Sequence, residues 1–162
     1  MFAEEICTFL NRISAEGEDT MRIGSLVFTT YQGLGILAKS FFDNGIVTDV
    51  MTVHHGRREE HPEWYPEAYR ITDLHSAVQT HAMQQFCKSM DAMLFFESPF
   101  NWSLLSFCRD NGVRTALMPM YECMPKTLPD EPDLFLCPSQ LDRKSTRLNS
   151  SHIQKSRMPS SA

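Results

Sequence analysis

The sequence predicts an α/β domain with a doubly wound, mostly parallel sheet of about five or six strands and helices on both faces. Three observations carry this. Short apolar runs rich in β-branched and aromatic residues alternate with stretches whose apolar residues recur at helical spacing. Two of those helical stretches stop at Asn-Gly pairs, Asn44-Gly45 and Asn111-Gly112. The chain has 162 residues, the length of one domain, with 42% hydrophobic and 22% charged residues, as globular proteins have.

Arg22–Phe28 is a compact apolar run and reads as the first strand. A helix follows over Gly33–Asn44, with Leu34, Ile36, Leu37, Phe41 and Phe42 covering one side. Ile46–Val53 is β-rich and forms strand two. His54–Glu67 is polar and broken by prolines, so it is a loop, and Tyr69–Ile71 is a short third strand. Asp73 caps a helix over Leu74–Met90, and Ala92–Phe96 is strand four. Ser98-Pro99 opens a helix through Asn101–Asp110, Val113–Met118 is strand five and Leu134–Cys137 a short strand six. Strands separated by helices imply right-handed βαβ crossovers and a Rossmann-like sheet.

Composition and patterning exclude several classes. No apolar run reaches the roughly 18–20 residues of a membrane span, so no transmembrane segment is expected. The opening MFAEEICTFLNRISAEGEDT has no basic region before an apolar stretch and is not a signal peptide. Five irregularly spaced Cys without a CxxC fit a reducing, cytoplasmic compartment better than a disulfide framework. Cys123 and Cys137 have no His at a spacing that suggests nucleophilic catalysis. His54, His55 and His61 lack further ligands at metal spacing, so no metal is expected and no cofactor is implied.

The ends differ from the middle. Arg143, Lys144, Arg147, Lys155 and Arg157 stand against the single acid Asp142, so the rest of the chain is more acidic than the net charge of −5 suggests. Asp142 to His152, DRKSTRLNSSH, resembles the translation of a common short-read library adapter. Ile153, Gln154 and Lys155 fall where such an adapter carries its variable index, and SRMPSSA to Ala162 continues its constant part. Residues 142–162 are therefore expected to be a non-native, disordered tail, and no nucleic-acid partner is inferred from their charge. Residues 1–20 are either an amphipathic helix or a leader upstream of a start at Met21, which leaves 21–141 as the domain.

In sheets of this kind ligands sit beyond the carboxyl ends of the strands, which nominates Thr29–Gly35, His54–His61, Glu97–Trp102 and Tyr121–Met124. Gly33-Leu34-Gly35-Ile36-Leu37-Ala38 matches GxGxxA, a pattern that lets backbone approach a phosphate at a helix start. The same glycines also suit a tight turn or a pocket for a sugar. As an NAD(P) site the motif has two defects: four residues separate it from the strand, and no acid stands clearly at the end of strand two, Asp49 lying inside it. Trp64 and Tyr65, between Pro62 and Pro66, either stack on a ligand or plug the end of the sheet. Glu97, Tyr121 and Glu122 follow strand ends, where a carboxylate could bind hydroxyls or move a proton, or cap a helix.

With these residues in place, 21–141 resembles the N-terminal half of a GT-B glycosyltransferase. The resemblance rests on MRIGSLVFTTYQGLGILAKSFFDNG, on the acidic strand end LFFESPF and on PDLFLCPS. It implies an enzyme that moves a sugar from a nucleotide-sugar donor to an acceptor, with this half shaping the acceptor side. The substrate-binding residues it points to are Gly33, Gly35, Trp64, Tyr65, Glu97, Tyr121 and Glu122. Most donor contacts would belong to a C-terminal domain missing from this sequence, so the chain alone is expected to be inactive. An NAD(P)-binding oxidoreductase fragment and a non-enzymatic α/β binding module are the alternatives.

Overall fold

The computed structural model describes residues 21–73, 76–120 and 123–137. The expected leader and tail, with Tyr121 and Glu122, lie outside the described residues. Six strands form one sheet: β1 (Ile23–Phe28), β2 (Asp49–Val53), β3 (Arg70–Ile71), β4 (Ala92–Glu97), β5 (Arg114–Pro119) and β6 (Leu134–Phe135). Three α-helices are found among the described residues: α1 (Gly33–Asp43), α2 (Ala77–Lys88) and α3 (Ser103–Asp110).

Every strand pairing is parallel, in the order β3-β2-β1-β4-β5-β6. This is the Rossmann order, in which the chain starts at the centre, winds outward, returns and winds outward the other way. The central strands are covered on both sides and so read as continuous apolar runs: IGSLVF in β1 and AMLFFE in β4 are each buried at their first five positions.

Side chains alternate between two apolar layers. Leu26, Met93, Phe95 and Leu117 point to the layer shared with Met83 and Cys87 of α2 and with Leu104, Leu105 and Cys108 of α3. Val27, Leu94, Phe96 and Met118 point to the other, with Ala38 and Phe41 of α1 and Tyr65. Cys87 and Cys108 meet between α2 and α3, where their mutual hydrogen bond and burial push the Cys87 thiol pKa far up, so it stays neutral.

Both helix stops follow the expected chemistry. Gly45 takes φ +71° and Gly112 φ +75°, values that favour glycine. Gly45 N–H donates to the Phe42 carbonyl and Ile46 N–H to that of Phe41; Gly112 and Val113 repeat this with Arg109 and Cys108.

Among the boundaries that differ from expectation, three have a clear local reason. Strand β2 starts at Asp49 and not Ile46, because the Ile46 and Val47 N–H groups are spent on the Phe41 carbonyl. Helix α2 starts at Ala77 under Ser76, whose Oγ accepts from Gln79 N at 3.1 Å; Ser76, and not Asp73, is the cap. Helix α3 starts at Ser103 and not Asn101. The Asn101 Oδ1 stands outside the helix and accepts from both the N–H and the Oγ of Ser103.

The two motif glycines are not equivalent. A Cβ on Gly35 would fall 2.1 Å from the Thr30 carbonyl oxygen, a backbone atom that cannot step aside, whereas one on Gly33 meets nothing within 4 Å. Gly35→Ala is therefore expected to lose about 1–3 kcal/mol in urea unfolding. Gly33→Ala should be neutral or gain up to about 1 kcal/mol from helix propensity. Equal effects would contradict the close approach of α1 to the β1–α1 loop.

Candidate functional site

The sheet reverses its winding between β1 and β4. Their ladder pairs are Ile23 with Ala92 and Gly24 with Met93, at the amino ends. By contrast β1 pairs with β2 as far as Phe28–Val53, and β4 with β5 as far as Glu97–Pro119. Ser25 Oγ donates to the Leu94 carbonyl at 2.6 Å and closes the seam one step further. Beyond it, a cleft of about 280 Å³ is lined by the carboxyl ends of both strands. One wall is Leu26–Phe28, with Leu34 and Ala38 of α1; the other is Phe96–Phe100. This is the topological switch point at which open α/β sheets bind ligands.

Eight of the ten lining residues have apolar side chains, and the other two are Glu97 and Ser98. Phe28 and Phe100 meet edge to face at 5.0 Å, and His55 packs edge-on against Phe28 at 4.9 Å. Glu97, the last residue of β4, holds φ +67°, a left-handed value that costs a non-glycine residue about 1–2 kcal/mol. Its backbone carbonyl accepts from Met120 N at 3.4 Å, and its Oε1 accepts from the Cys123 thiol at 2.6 Å. The β4–β5 register and these bonds hold the strained residue in place among those that line the cleft.

The amino end of α1 borders the same cleft. Gln32 caps it without a side-chain bond to the helix, and no acid occupies the first turn. The dipole-positive end therefore carries no neutralising group of its own there. With its amide assigned so that the oxygen faces the cation, the Gln32 side chain accepts from the Arg58 guanidinium.

Residues 54–64 strap this region down. His61 N–H donates to the Thr29 carbonyl at 2.6 Å. Glu60 anchors the strap from inside: it accepts from His55 N at 2.6 Å, lies 2.7 Å from His54 Nδ1 and pairs with Arg70 of β3. Among the described residues no cluster of His, Cys, Asp or Glu could hold a metal, and no helix is long and apolar enough to cross a membrane.

The residues nominated from sequence have separate fates. Glu97 lines the cleft; Gly33 and Gly35 sit in the first turn of α1 on either side of Leu34, which lines it, and do not line it themselves. Trp64 sits on the outer strap, in a 3-10 turn over Pro62–Trp64, stacked on His61 at 5.3 Å. Tyr65 is 5% exposed and edge-on to Phe42 at 5.2 Å, so it belongs to the core layer under α1. Burial raises its phenol pKa above the ordinary value. Tyr121 and Glu122 lie outside the described residues.

Sequence reasoning nominated the segment Glu97–Trp102 but did not single out Ser98, Pro99 or Phe100, nor Phe28 or Tyr31. The strand-end rule applied one residue at a time would have found Phe28 and Ser98.

Asp49 opens β2 at the opposite end of the sheet, paired in register with Gly24 and ion-paired with Arg22 at 2.6 Å. The Arg22 hydrogen bond holds its carboxyl below the usual range. The carboxyl end of β2 is Val53, followed by His54, so the strand itself ends on no acid, and the acid that reaches this end, Glu60, is occupied by Arg70 and the His54-His55 backbone and ring.

Two results are expected from these contacts. Glu97→Gly should raise stability by about 1 kcal/mol by releasing the left-handed strain, while Glu97→Ala should not. A fall with Glu97→Gly in urea unfolding would mean that the carboxylate's bonds outweigh the strain. Asp49→Asn should cost under about 1 kcal/mol at neutral pH, since the pair is half-exposed. Because the folded-state pKa is depressed, that difference should be full above about pH 4 and fade as pH falls through the folded value. A difference that persisted at acid pH would contradict the ion pair.

Comparison of the chain with family models, with curated proteins and with solved structures yields no match.

Proposed function

We propose that this chain is the acceptor-side domain of a GT-B glycosyltransferase and that the switch-point cleft seats a hydroxyl-rich acceptor. The observation that carries the reading is Glu97: an acidic residue kept in a strained backbone position among the residues that line the cleft. Strain of this kind persists where the surrounding structure enforces it, and it concentrates at functional sites. The chemistry suits a sugar. A carboxylate accepts hydrogen bonds from neighbouring hydroxyls, the Ser98 hydroxyl adds a donor and acceptor, and Phe28 and Phe100 offer apolar faces to ring C–H groups.

In the reaction, Glu97 accepts a hydrogen bond from the attacking acceptor hydroxyl. It takes that proton as the oxygen bonds to the anomeric carbon and the nucleoside diphosphate departs. In enzymes of this type most donor contacts come from a second domain, so this domain is assigned the acceptor and not the donor. A dinucleotide site fits less well, since α1 begins at Gly33 itself and the nearest acid on β2, Asp49, stands at the wrong end.

Calorimetric titration with simple glycosides, UDP-glucose, NAD and NADP tests this. Weak glycoside binding is expected, with Kd near the millimolar range, about −4 kcal/mol. Glu97→Gln should weaken it about tenfold or more, and the nicotinamides should give no heat. Micromolar binding of NAD or NADP, or glycoside binding indifferent to Glu97→Gln, would overturn the reading.

A further inference from the structure

Beside the cleft stands an aromatic cluster that the reading above does not use. Tyr31 lies between Thr30, which is 1% exposed, and the helix cap Gln32, yet it is itself 69% exposed. Its ring is not loose. It meets His61 edge-on at 4.2 Å and Trp64 at 5.0 Å, and His61 lies nearly parallel on Trp64, 18° apart. Trp64 in turn packs against the core layer under α1, and Pro62 stiffens the turn that carries it. The outermost ring is therefore held by two others that the fold has already fixed.

Planar polar groups are carried by the same two segments. Glu63 presents a carboxylate that is 65% exposed, 2.8 Å from His61 Nδ1. Gln32, the residue after Tyr31, pairs its amide with the Arg58 guanidinium. A fixed aromatic ring with a carboxylate on its supporting histidine and an amide–guanidinium pair at the next residue is the chemistry that recognises a pyranose. The ring C–H face packs on the aromatic, and adjacent hydroxyls pair with the planar groups. Because the rings are ordered before binding, little side-chain entropy is lost on contact. Tyr31 follows Phe28 of the cleft wall by three residues, a separation of at most about 11 Å.

We infer that Tyr31, supported by His61 and Trp64, is a stacking subsite for a second sugar of the acceptor, so that this domain selects an oligosaccharide over a monosaccharide. The inference takes the ligand to be a sugar and so rests on the proposed function. Tyr31 is exposed, so its substitution leaves the core intact and the fold testable.

The experiment is a glycan array of mono- to tetrasaccharides in the gluco, galacto, manno and N-acetylglucosamine series. It is probed with the whole chain and with its Tyr31→Ala, Tyr31→Phe and Glu97→Gln variants, and the best series is then titrated in solution. Within that series, affinity should rise about tenfold or more from mono- to trisaccharide. Tyr31→Ala should erase the rise while keeping the monosaccharide signal, Tyr31→Phe should keep both, and Glu97→Gln should weaken all lengths. Affinity independent of length, or a rise untouched by Tyr31→Ala while Glu97→Gln still acts, would overturn the subsite and leave the cleft reading standing. No retention of any sugar would overturn both. Binding of UMP that Tyr31→Ala removes, with no length effect, would assign the platform to a nucleobase and overturn the inference.

Discussion

Right-handed crossovers impose the cleft. Starting from a central β1, the chain reaches β2 by a crossover that lays α1 on one face. Starting again from β4 beside it, the chain winds the opposite way and must lay α3 on the other face. No connection then passes over the carboxyl ends of β1 and β4 as a neighbour-to-neighbour turn. The two strands pair at Ile23–Ala92 and Gly24–Met93, are tied once more by Ser25 to Leu94, and open into the space where Glu97 stands. The position of the site is thus a consequence of handedness, and its chemistry of the few side chains at the strand ends.

Two features tune that opening. Gly35 lets α1 press against the Thr30 carbonyl, which fixes the cleft's helical wall at a distance no side chain would permit. The strap over residues 54–64 then holds the β1–α1 loop from outside, through the Thr29 carbonyl and through Gln32. Glu60 ties the strap back to β3 and to its own backbone, so the aromatic rim rests on an ordered base. The helical wall is therefore tied down from both the sheet and the strap.

Much of the fold was legible because period and punctuation agree. The apolar runs of β1 and β4, the helical spacing of Leu34 to Phe42 and the two Asn-Gly stops each favour the element that forms. The errors lie at boundaries decided by single hydrogen bonds, such as the Ser76 cap that competes with Asp73 and the Phe41 carbonyl that delays β2. The site was legible by position and less so by residue. Glu97 follows from the strand-end rule, but its left-handed backbone depends on the β4–β5 register, and nothing in the local sequence signals it. Trp64 and Tyr65 are adjacent and similar in sequence, yet the 3-10 turn sends one to the rim and the other under α1. Tyr31 carries no local signal either, because its role depends on a strap thirty residues away bringing His61 and Trp64 to it.

The most direct test of the account is a map of backbone amide shifts, by NMR, as the chain is titrated with its best-retained glycan. The account predicts shifts confined to the β1–α1 loop, the first turn of α1 and the segment from Glu97 to Phe100, with the β6 edge and the Arg22–Asp49 end of the sheet unmoved. Shifts centred on that opposite end, or a map that changes at the cleft only when a nicotinamide cofactor is added, would contradict it.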